Sequence, residues 1–164
     1  MSRYATVMGS LQKFEKGRLT LIDDLPKRYC HSNVFEVASR AKPYQKTAVA
    51  RNIEYVIEAI RAEGESGWFA ATHDEFVVVL DGEVTVTLAE LKEPLPAPGK
   101  DGTQRLPREP SGKRMGRIHL KRGHQALLPK QVAYRFSASA PSVMIQQTIA
   151  GELTVQKWAE ICSR

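Results

Sequence analysis

The sequence predicts an all-β protein, a sandwich or barrel of short antiparallel strands. The clearest sign is a hairpin, in which the β-branched run Val77–Leu80 is followed by the turn Asp81-Gly82 and by Glu83–Leu88, where polar and apolar residues alternate. Strand patterns return at short, even intervals in residues 116–121, 125–129, 132–136 and 143–149. Short strands at such spacing are typical of sandwiches and barrels.

The length and composition favour a single soluble domain. A chain of 164 residues can bury roughly 70% of its unfolded surface in one core. It has no run of about 20 apolar residues, and residues 1–25 lack the features of a secretion signal, so we expect a cytoplasmic protein. Cys30 and Cys162 lie far apart and outside any metal-ligand spacing, and we expect two reduced, buried thiols.

The formal net charge of +6 raises the question of nucleic-acid binding, because clustered basic residues release counterions from phosphates. The densest basic run, residues 113–122, has no interleaved aromatic residues, and part of it fits the outward face of a strand. We therefore expect neither a nucleic-acid nor a membrane partner.

The first 50 residues have the least regular pattern, and we expect them to form an N-terminal arm with added strands. The arm contains apolar residues that a free segment could not leave in water, namely Phe14, Leu19, Leu21, Ile22 and Phe35. We expect this arm to wrap around a partner, where those side chains would be buried.

Residues 51–150 are assigned to the barrel, and two parts of this range need comment. Residues 53–60 are ambiguous, because their apolar positions fit one helix face (53, 56, 57 and 60) and equally one strand face (53, 55, 57 and 59). We favour a strand, since the surrounding segments are strands. Residues 89–115 are rich in proline and glycine and predict a long inserted loop.

Residues 151–164 predict a short closing helix. The apolar residues Val155, Trp158, Ala159 and Cys162 lie at helical spacing, and Glu152 would lie near the positive end of the helix. We expect Trp158 to anchor this helix in the core.

The order of these pieces matches the frame of a known barrel family. Glu75 is followed by six residues and Gly82, and Gly123 is followed by five residues and Pro129, with the proline-rich loop between the two segments. In this respect the chain resembles the cupins, whose motifs run G-x5-H-x-H-x3,4-E-x6-G and G-x5-P-x-G-x2-H-x3-N. The resemblance implies a cupin double-stranded β-barrel of jelly-roll type, here with an extended N-terminal arm and a short C-terminal helix.

The positions at which the cupin motifs place metal ligands hold other residues. Counting back from Glu75 puts one of two pairs at the first two histidine positions: Phe69 and Ala71, or Ala70 and Thr72. The second motif has Gln131, Tyr134 and Ala138 in place of its glycine, histidine and asparagine. Because an iron or zinc site needs at least three convergent donors, Glu75 alone predicts a barrel without a metal.

The remaining polar residues could still form a site. On an extended strand His73 and Glu75 would point to the same face, with Cα atoms about 7 Å apart, where they could share a proton or bind a ligand. A histidine held by structural hydrogen bonds is the alternative. Tyr134 could donate to a bound phenol or carboxylate, or could fill the space of the missing imidazole.

A closer resemblance covers nearly the whole chain. It rests on residues 9–14, 32–40, 54–59, 68–75, 116–118 and 122–129, which together are similar to the small subunit of two-component hydroquinone 1,2-dioxygenases. In that family a larger cupin subunit holds Fe(II) on two histidines and a carboxylate. With O2 it opens the ring of hydroquinone to 4-hydroxymuconic semialdehyde, during the breakdown of para-nitrophenol and related aromatics.

The resemblance implies a role without iron for this chain. It would stabilise the larger iron-binding subunit in a heterotetramer with two copies of each, and would contribute a wall or lid of the pocket for hydroquinone. Trp68 follows the small-residue loop 64–67, from which it could stack on a phenolic ring, pack into an interface or pack into its own core.

The candidate substrate-binding residues are therefore Trp68, His73, Glu75 and Tyr134, and we expect no catalytic or metal-binding residue in this chain. Two alternatives stay open. One is a stand-alone, metal-independent cupin isomerase or epimerase that uses His73, Glu75 or Tyr134. The other is a cupin that binds a small molecule without catalysis.

Overall fold

The computed structural model describes residues 9–25, 30–95 and 102–162. Its elements in chain order are α1 (Val34–Arg40), β1 (Lys46–Asn52), β2 (Tyr55–Glu65), β3 (Phe69–Ala70), β4 (Glu75–Asp81), β5 (Glu83–Glu90), β6 (Gln104–Arg105), β7 (Arg114–Lys121), β8 (Gln125–Leu128), β9 (Val132–Ile149), β10 (Thr154–Val155) and α2 (Trp158–Ile161). The described chain is mostly strand, which confirms the predicted all-β class.

The strands of the described ranges join one curved sheet with β9 at its centre. Residues 132–137 of β9 pair with β5, and residues 143–149 pair with β2 on one side and with β4 on the other. The sheet continues from β5 to β7, from β4 to β8, and from β2 to β1. Because the 18-residue strand β9 takes part in both halves of the barrel, it joins them around a common core.

The two predicted strands are confirmed as β4 and β5, which are separated by Gly82 alone, but the predicted hairpin is wrong. β4 pairs with β8 and β9, and β5 pairs with β7 and β9, so the Asp81-Gly82 turn lies where one strand passes into the next along β9. Gly82 has a φ of +77°, a conformation that glycine adopts without strain. A Cβ atom at this position would lie 2.2 Å from Ser142 Oγ of β9. The turn therefore needs glycine both for its backbone conformation and for its close approach to β9.

The hydrophobic core lies inside the curved sheet. Its largest fully buried apolar side chains are Ile60, Leu128, Tyr134, Phe136 and Met144, which come from β2, β8 and β9. Complete burial of a side chain of this size contributes roughly 1.5–3 kcal/mol. The core thus packs together strands that lie far apart in the sequence.

The strand predicted over residues 53–60 is confirmed from residue 55 onward, where β2 begins. Val56 and Ile60 point into the barrel and are 1% exposed, whereas Tyr55 and Ile57 point outward and are 49% and 38% exposed. Ile53 lies in the turn between β1 and β2 with a φ of +58°. The strand therefore places its apolar residues on both faces.

The inserted loop is shorter than predicted, since β5 continues to Glu90 and β7 begins at Arg114. Part of the insertion, residues 96–101, lies outside the described residues. Gln104–Arg105 form β6, which pairs with β3. The insertion thus returns to the barrel.

The C-terminal helix α2 is confirmed but covers only Trp158–Ile161. Thr154–Val155 form β10 and pair in parallel with the start of β1. Glu152 consequently precedes a strand rather than the helix. Trp158 is half-buried and α2 has no fully buried residue, so the expected core anchor is wrong.

The prediction of two reduced thiols is also wrong, because Cys30 and Cys162 form a disulfide, with Cα atoms 5.2 Å apart. A cavity between α1 and α2 is lined by residues of both helices together with Cys162, which shows that α2 lies beside α1. Cys30 lies only a few residues before α1. The fold therefore brings together two cysteines that are 132 residues apart in the sequence.

The apolar residues of the N-terminal arm are only partly covered. Ile22 is 97% exposed, Leu25 is 50% exposed and Leu21 is 41% exposed. That a partner covers this arm stays a prediction. None of the described helices is long and apolar enough to span a membrane.

Candidate functional site

The buried carboxylate of Glu75 is the centre of a polar network inside the barrel. Glu75 is 1% exposed. Its Oε1 atom accepts hydrogen bonds from the hydroxyls of Thr103 and Thr148, both at 2.5 Å, and its Oε2 atom accepts one from the Tyr134 hydroxyl at 2.6 Å. Hydrogen bonds to an ionised group are among the strongest in proteins. Three hydroxyls from the chain itself therefore satisfy this carboxylate.

Tyr134 fills the barrel at the position of the third cupin histidine. Its ring packs against Phe69 and Phe136, with centroids 5.9 and 5.3 Å away, and its hydroxyl accepts a hydrogen bond from Gln146 Nε2 at 2.9 Å. Burial, together with the neighbouring Glu75 carboxylate, raises the pKa of Tyr134 well above its usual value of 10.0. Tyr134 is thus a neutral hydrogen-bond donor to Glu75.

The ammonium group of Lys46 is buried on the other side of Gln146. The Lys46 side chain is 2% exposed, and its Nζ atom donates to Gln146 Oε1 at 2.6 Å. The same atom lies 3.7 Å from Glu58 Oε2 and 5.2 Å from the centroid of the Phe69 ring, within the range of a cation–π interaction. Burial raises the pKa of Glu58 above its usual 4.5, although Lys46 and a hydrogen bond from Thr154 oppose this shift.

His73 lies at the edge of the network and is linked to Glu75 through Thr148. Its Nε2 atom is 3.0 Å from Thr148 Oγ1 and 3.8 Å from Glu75 Oε1. The backbone N–H of Ile149 lies 3.3 Å from the same nitrogen, and the buried Nδ1 atom has no hydrogen-bond partner among the described residues. The predicted pair of His73 and Glu75 is therefore brought together, with a threonine hydroxyl between the two side chains.

The residues inside this barrel do not fit an iron or zinc ion. Phe69, Ala70 and Ala71 are buried and carry no donor atom, and Tyr134 uses its hydroxyl to bond Glu75. Over residues 9–25, 30–95 and 102–162, no three His, Cys, Asp or Glu side chains group together as metal ligands do. The oxygens of Glu75, moreover, are taken by hydroxyl donors.

Trp68 belongs to a separate, smaller hydrophobic cluster. Its side chain is 6% exposed and packs with Ala89 and Ala133. The guanidinium of Arg135 lies 4.9 Å from the indole ring, and the backbone carbonyl of Trp68 accepts a hydrogen bond from the Leu106 N–H at 2.8 Å. The indole is therefore packed within its own chain, away from the network of Glu75.

A cavity of about 390 Å³ adjoins the network. Its lining includes Lys46 and Phe69 from the network, together with Tyr44, Arg105 and Leu153. Burial raises the pKa of Tyr44 to about 12, so its hydroxyl is neutral. The cavity is large enough for a small aromatic molecule.

Three of the four predicted site residues, His73, Glu75 and Tyr134, meet inside the barrel, and Trp68 does not join them. Their role in substrate binding stays a prediction. Five residues of the network were not predicted from the sequence as site residues: Lys46, Glu58, Thr103, Gln146 and Thr148. A signal existed for three of them, because the inward positions of residues 56–60 and 144–148 include the polar residues Glu58, Gln146 and Thr148 beside buried apolar ones.

The curved sheet and the inserted loop define a cupin barrel in which Glu75 and Tyr134 bond each other and buried apolar residues take the place of the first histidines. The chain is 50% identical to a chain of the hydroquinone 1,2-dioxygenase PnpCD in complex with Cd2+ and 4-hydroxybenzonitrile, with a TM-score of 0.93, covering 99% of this chain and 98% of that chain. It is 48% identical to a chain of the hydroquinone 1,2-dioxygenase from Sphingomonas sp. TTNP3 with 4-hydroxybenzoate bound, with a TM-score of 0.94 and 98% of each chain covered. The chain therefore belongs to the family of hydroquinone 1,2-dioxygenase subunits.

A longer chain of the same kind of enzyme shares the fold. One chain of PnpCD in complex with Fe3+ aligns with 83% of this chain over 37% of its own length. The identity is 10% and the TM-score is 0.65. Since 83% of one length corresponds to 37% of the other, that chain is about twice as long. None of the protein-family models matches this chain, and no curated protein is significantly similar to it.

Proposed function

We propose that this chain is the subunit of a hydroquinone 1,2-dioxygenase that holds no iron. The observation that supports the proposal is the full-length similarity, at 50% identity, to a chain of a hydroquinone 1,2-dioxygenase, combined with an interior in which three hydroxyls bond the one carboxylate at a ligand position. The partner is a larger cupin subunit that holds Fe(II), in a complex with two copies of each. The complex opens the ring of hydroquinone to 4-hydroxymuconic semialdehyde.

Within such a complex, the described residues favour a structural role for this chain over a catalytic one. The hydrogen bonds around Glu75 and Tyr134 give the barrel a rigid interior, because Tyr134 bonds both Glu75 and Gln146, and Thr148 bonds Glu75, and these buried bonds would be costly to lose. A rigid barrel beside an iron site keeps bulk water out of the reaction. The His73 side chain keeps 19% of its surface exposed and would contact the substrate, whereas Glu75 and Tyr134 would act through His73 and Phe69. Trp68 is buried and would contact the substrate only at the edge of its indole.

The test is to produce the chain alone and together with the larger subunit encoded in the same genome. We expect the chain alone to contain less than about 0.1 iron per chain and to consume no O2 with hydroquinone. We expect the two chains together to consume O2 and to form a yellow ring-opened product, with iron at about one per larger subunit. Stoichiometric iron in the isolated chain, or ring opening without the larger chain, would contradict the proposal.

The cavity beside Lys46 favours a second candidate function, a cupin that binds a small molecule without catalysis. Its volume of about 390 Å³ falls within the usual range for ligand sites, and its lining carries charges of both signs, on Lys42, Lys46, Glu63, Glu65 and Arg105, which suits a small polar ligand. Calorimetric titration of the isolated chain with 4-hydroxybenzoate separates the two functions. Binding by the isolated chain, with no activity added by a larger subunit, would favour this second candidate.

A further inference from the structure

The outside of the barrel carries an uncharged face that spans four strands. We define the outer sheet face as the outward positions of β2, β4, β8 and β9 in this region: Tyr55, Ile57, Ala59, Phe76, Val78, Gln125, Leu127, Ile145, Gln147 and Ile149. None of these ten residues is charged, although 26% of the chain is. A solvated sheet face would instead carry charged residues at such positions.

The strand register makes the outer sheet face continuous. Phe76 lies opposite Leu127 of β8 and opposite Gln147 of β9, and Gln147 lies opposite Ile57 of β2. Since neighbouring strands are about 4.8 Å apart, these side chains form a row that is about 14 Å long. Residues 55 and 149 flank this row on one side, and residues 78 and 145 flank it on the other.

Four large apolar side chains of this face are open to solvent. Leu127 is 57% exposed, Tyr55 is 49% exposed, Phe76 is 39% exposed and Ile57 is 38% exposed. Contiguous exposed apolar patches mark interaction sites on proteins. The centre of an interface is typically depleted of charge and enriched in aromatic residues, which is the composition of the outer sheet face.

We propose that the larger dioxygenase subunit docks on the outer sheet face; this inference rests on the function proposed above. Two arguments favour that occupant over a second copy of this chain. Two copies with a net charge of +6 each would repel one another around a face that offers no compensating ion pair. The longer chain of the solved relative, in contrast, includes a barrel of the same fold, whose curved sheet can pack face to face against this one.

The outer sheet face supplies the apolar centre of this interface and not its whole area. A standard interface buries about 800 Å² per partner, which is more than a row of four strands provides. Ile53, at the tip of the turn between β1 and β2, is 85% exposed and extends the apolar surface past Tyr55. Residues around this centre would form a polar rim.

The experiment introduces charge at the centre of the face. In the double variant Ile57→Glu/Leu127→Glu, two carboxylates would be buried without partners at the interface, so we expect binding to the larger subunit to weaken by about a hundredfold or more. The matched control is Met115→Glu, at an exposed apolar strand position of β7 outside the face, which is 56% exposed. We expect the control to bind within about threefold of the unaltered chain, measured by biolayer interferometry with the larger subunit from the same genome immobilised.

The folding of the variants is checked on the isolated chains. Because the substituted side chains are exposed, we expect melting temperatures within a few degrees of the unaltered chain. A second variant, Leu127→Lys, changes only the most exposed of the four positions and should weaken binding in the same direction. It keeps the test decisive if the double variant unfolds.

The outcomes separate this inference from the function on which it rests. If the unaltered chain and both variants bind the larger subunit equally well, the outer sheet face is not the docking surface, while the proposed function stands. If the isolated chain is a dimer in solution and the variants abolish only that dimer, a second copy is the occupant and the inference is overturned. If the unaltered chain binds no larger subunit at all, the proposed function fails and the inference fails with it.

Discussion

Lys46, Glu58 and Glu75 place one ammonium and two carboxyl groups inside the barrel, with side chains 2%, 1% and 0% exposed. Burial of an unpaired charge is costly, so this set is most favourable when it is neutral overall. The raised pKa of Glu58 favours that state, because a protonated Glu58 leaves the charge of Lys46 to balance that of Glu75. At this scale the barrel contains its own cation, held by Gln146, near the position where cupins bind a metal.

The first prediction concerns the pH dependence that Glu58 causes. A carboxyl group with a raised folded-state pKa holds its proton more tightly in the folded chain, so it lowers stability as the pH rises from 4.5 toward the folded-state pKa. Glu58→Gln removes this loss. Between about pH 4.5 and about pH 8, we expect the free energy of unfolding of Glu58→Gln to rise relative to the parent by about 1.4 kcal/mol for each unit by which the Glu58 pKa is raised.

Urea unfolding at several pH values measures this effect. The control is Glu54→Gln, at an exposed position just before β2, which should parallel the parent at every pH. A difference between Glu58→Gln and the parent that does not change with pH would show that folding does not raise the pKa of Glu58.

A second prediction at this scale separates packing from substrate contact at Trp68. Trp68→Ala opens a cavity in the cluster with Ala89 and Ala133, and we expect it to lower the free energy of unfolding by about 3–5 kcal/mol. Trp68→Phe keeps most of the packing, so we expect near-parental stability. If the indole contacts the substrate, the complex with Trp68→Phe should show a raised KM for hydroquinone, and an unchanged KM would leave Trp68 with a packing role only.

At the scale of the elements, the turn that leads from β4 into β5 depends on one residue. Gly82→Ala forces a residue with a Cβ atom into a left-handed conformation and places that atom 2.2 Å from Ser142 Oγ. We expect a loss of about 2–4 kcal/mol in the free energy of unfolding, measured by chemical denaturation. Gly116→Ala in β7, where an added Cβ atom meets nothing within 4 Å, is the control and should change stability little; an equal loss in both variants would contradict this account.

The elements also show what could and could not be predicted from the sequence. The strands β4 and β5 were predictable because Asp81-Gly82 is a local turn signal between two strand patterns. That both would pair with β9 instead of with each other was not predictable, because β9 lies about 50 residues further along the sequence. The orientation of β2 was not, since Tyr55 and Ile57 on one face are as apolar as Val56 and Ile60 on the other. Alternation indicates which face is buried only when the opposite face is polar, and here an uncharged outer face removes that contrast.

The polar interior was even less accessible to sequence reasoning. Glu75 and Tyr134 could be placed from their motif spacing, which is a local property. Lys46 meets Gln146 across 100 residues of sequence, and Thr103 reaches Glu75 from the inserted loop. Such contacts depend on the path of β9 and of the insertion, which no local pattern encodes.

At the scale of the whole molecule, charge and apolar surface are distributed unequally. The basic residues of β7 lie on an exposed part of the sheet, whereas the outer sheet face of β2, β4, β8 and β9 carries no charge. Apolar surface is also open on the N-terminal arm, where Ile22 is 97% exposed. A chain with two such surfaces is suited to assembly with a larger body, as the proposed function requires.

The bond between Cys30 and Cys162 turns most of the polypeptide into a closed ring. A single proteolytic cut inside that ring would leave both fragments joined covalently, so the barrel would not fall apart at the first cleavage. A cross-link over 132 residues also removes many conformations from the unfolded chain, an effect worth about 4–5 kcal/mol in the simplest entropy treatment. The durability of this subunit outside its complex would then depend on the redox state of its surroundings as well as on its core.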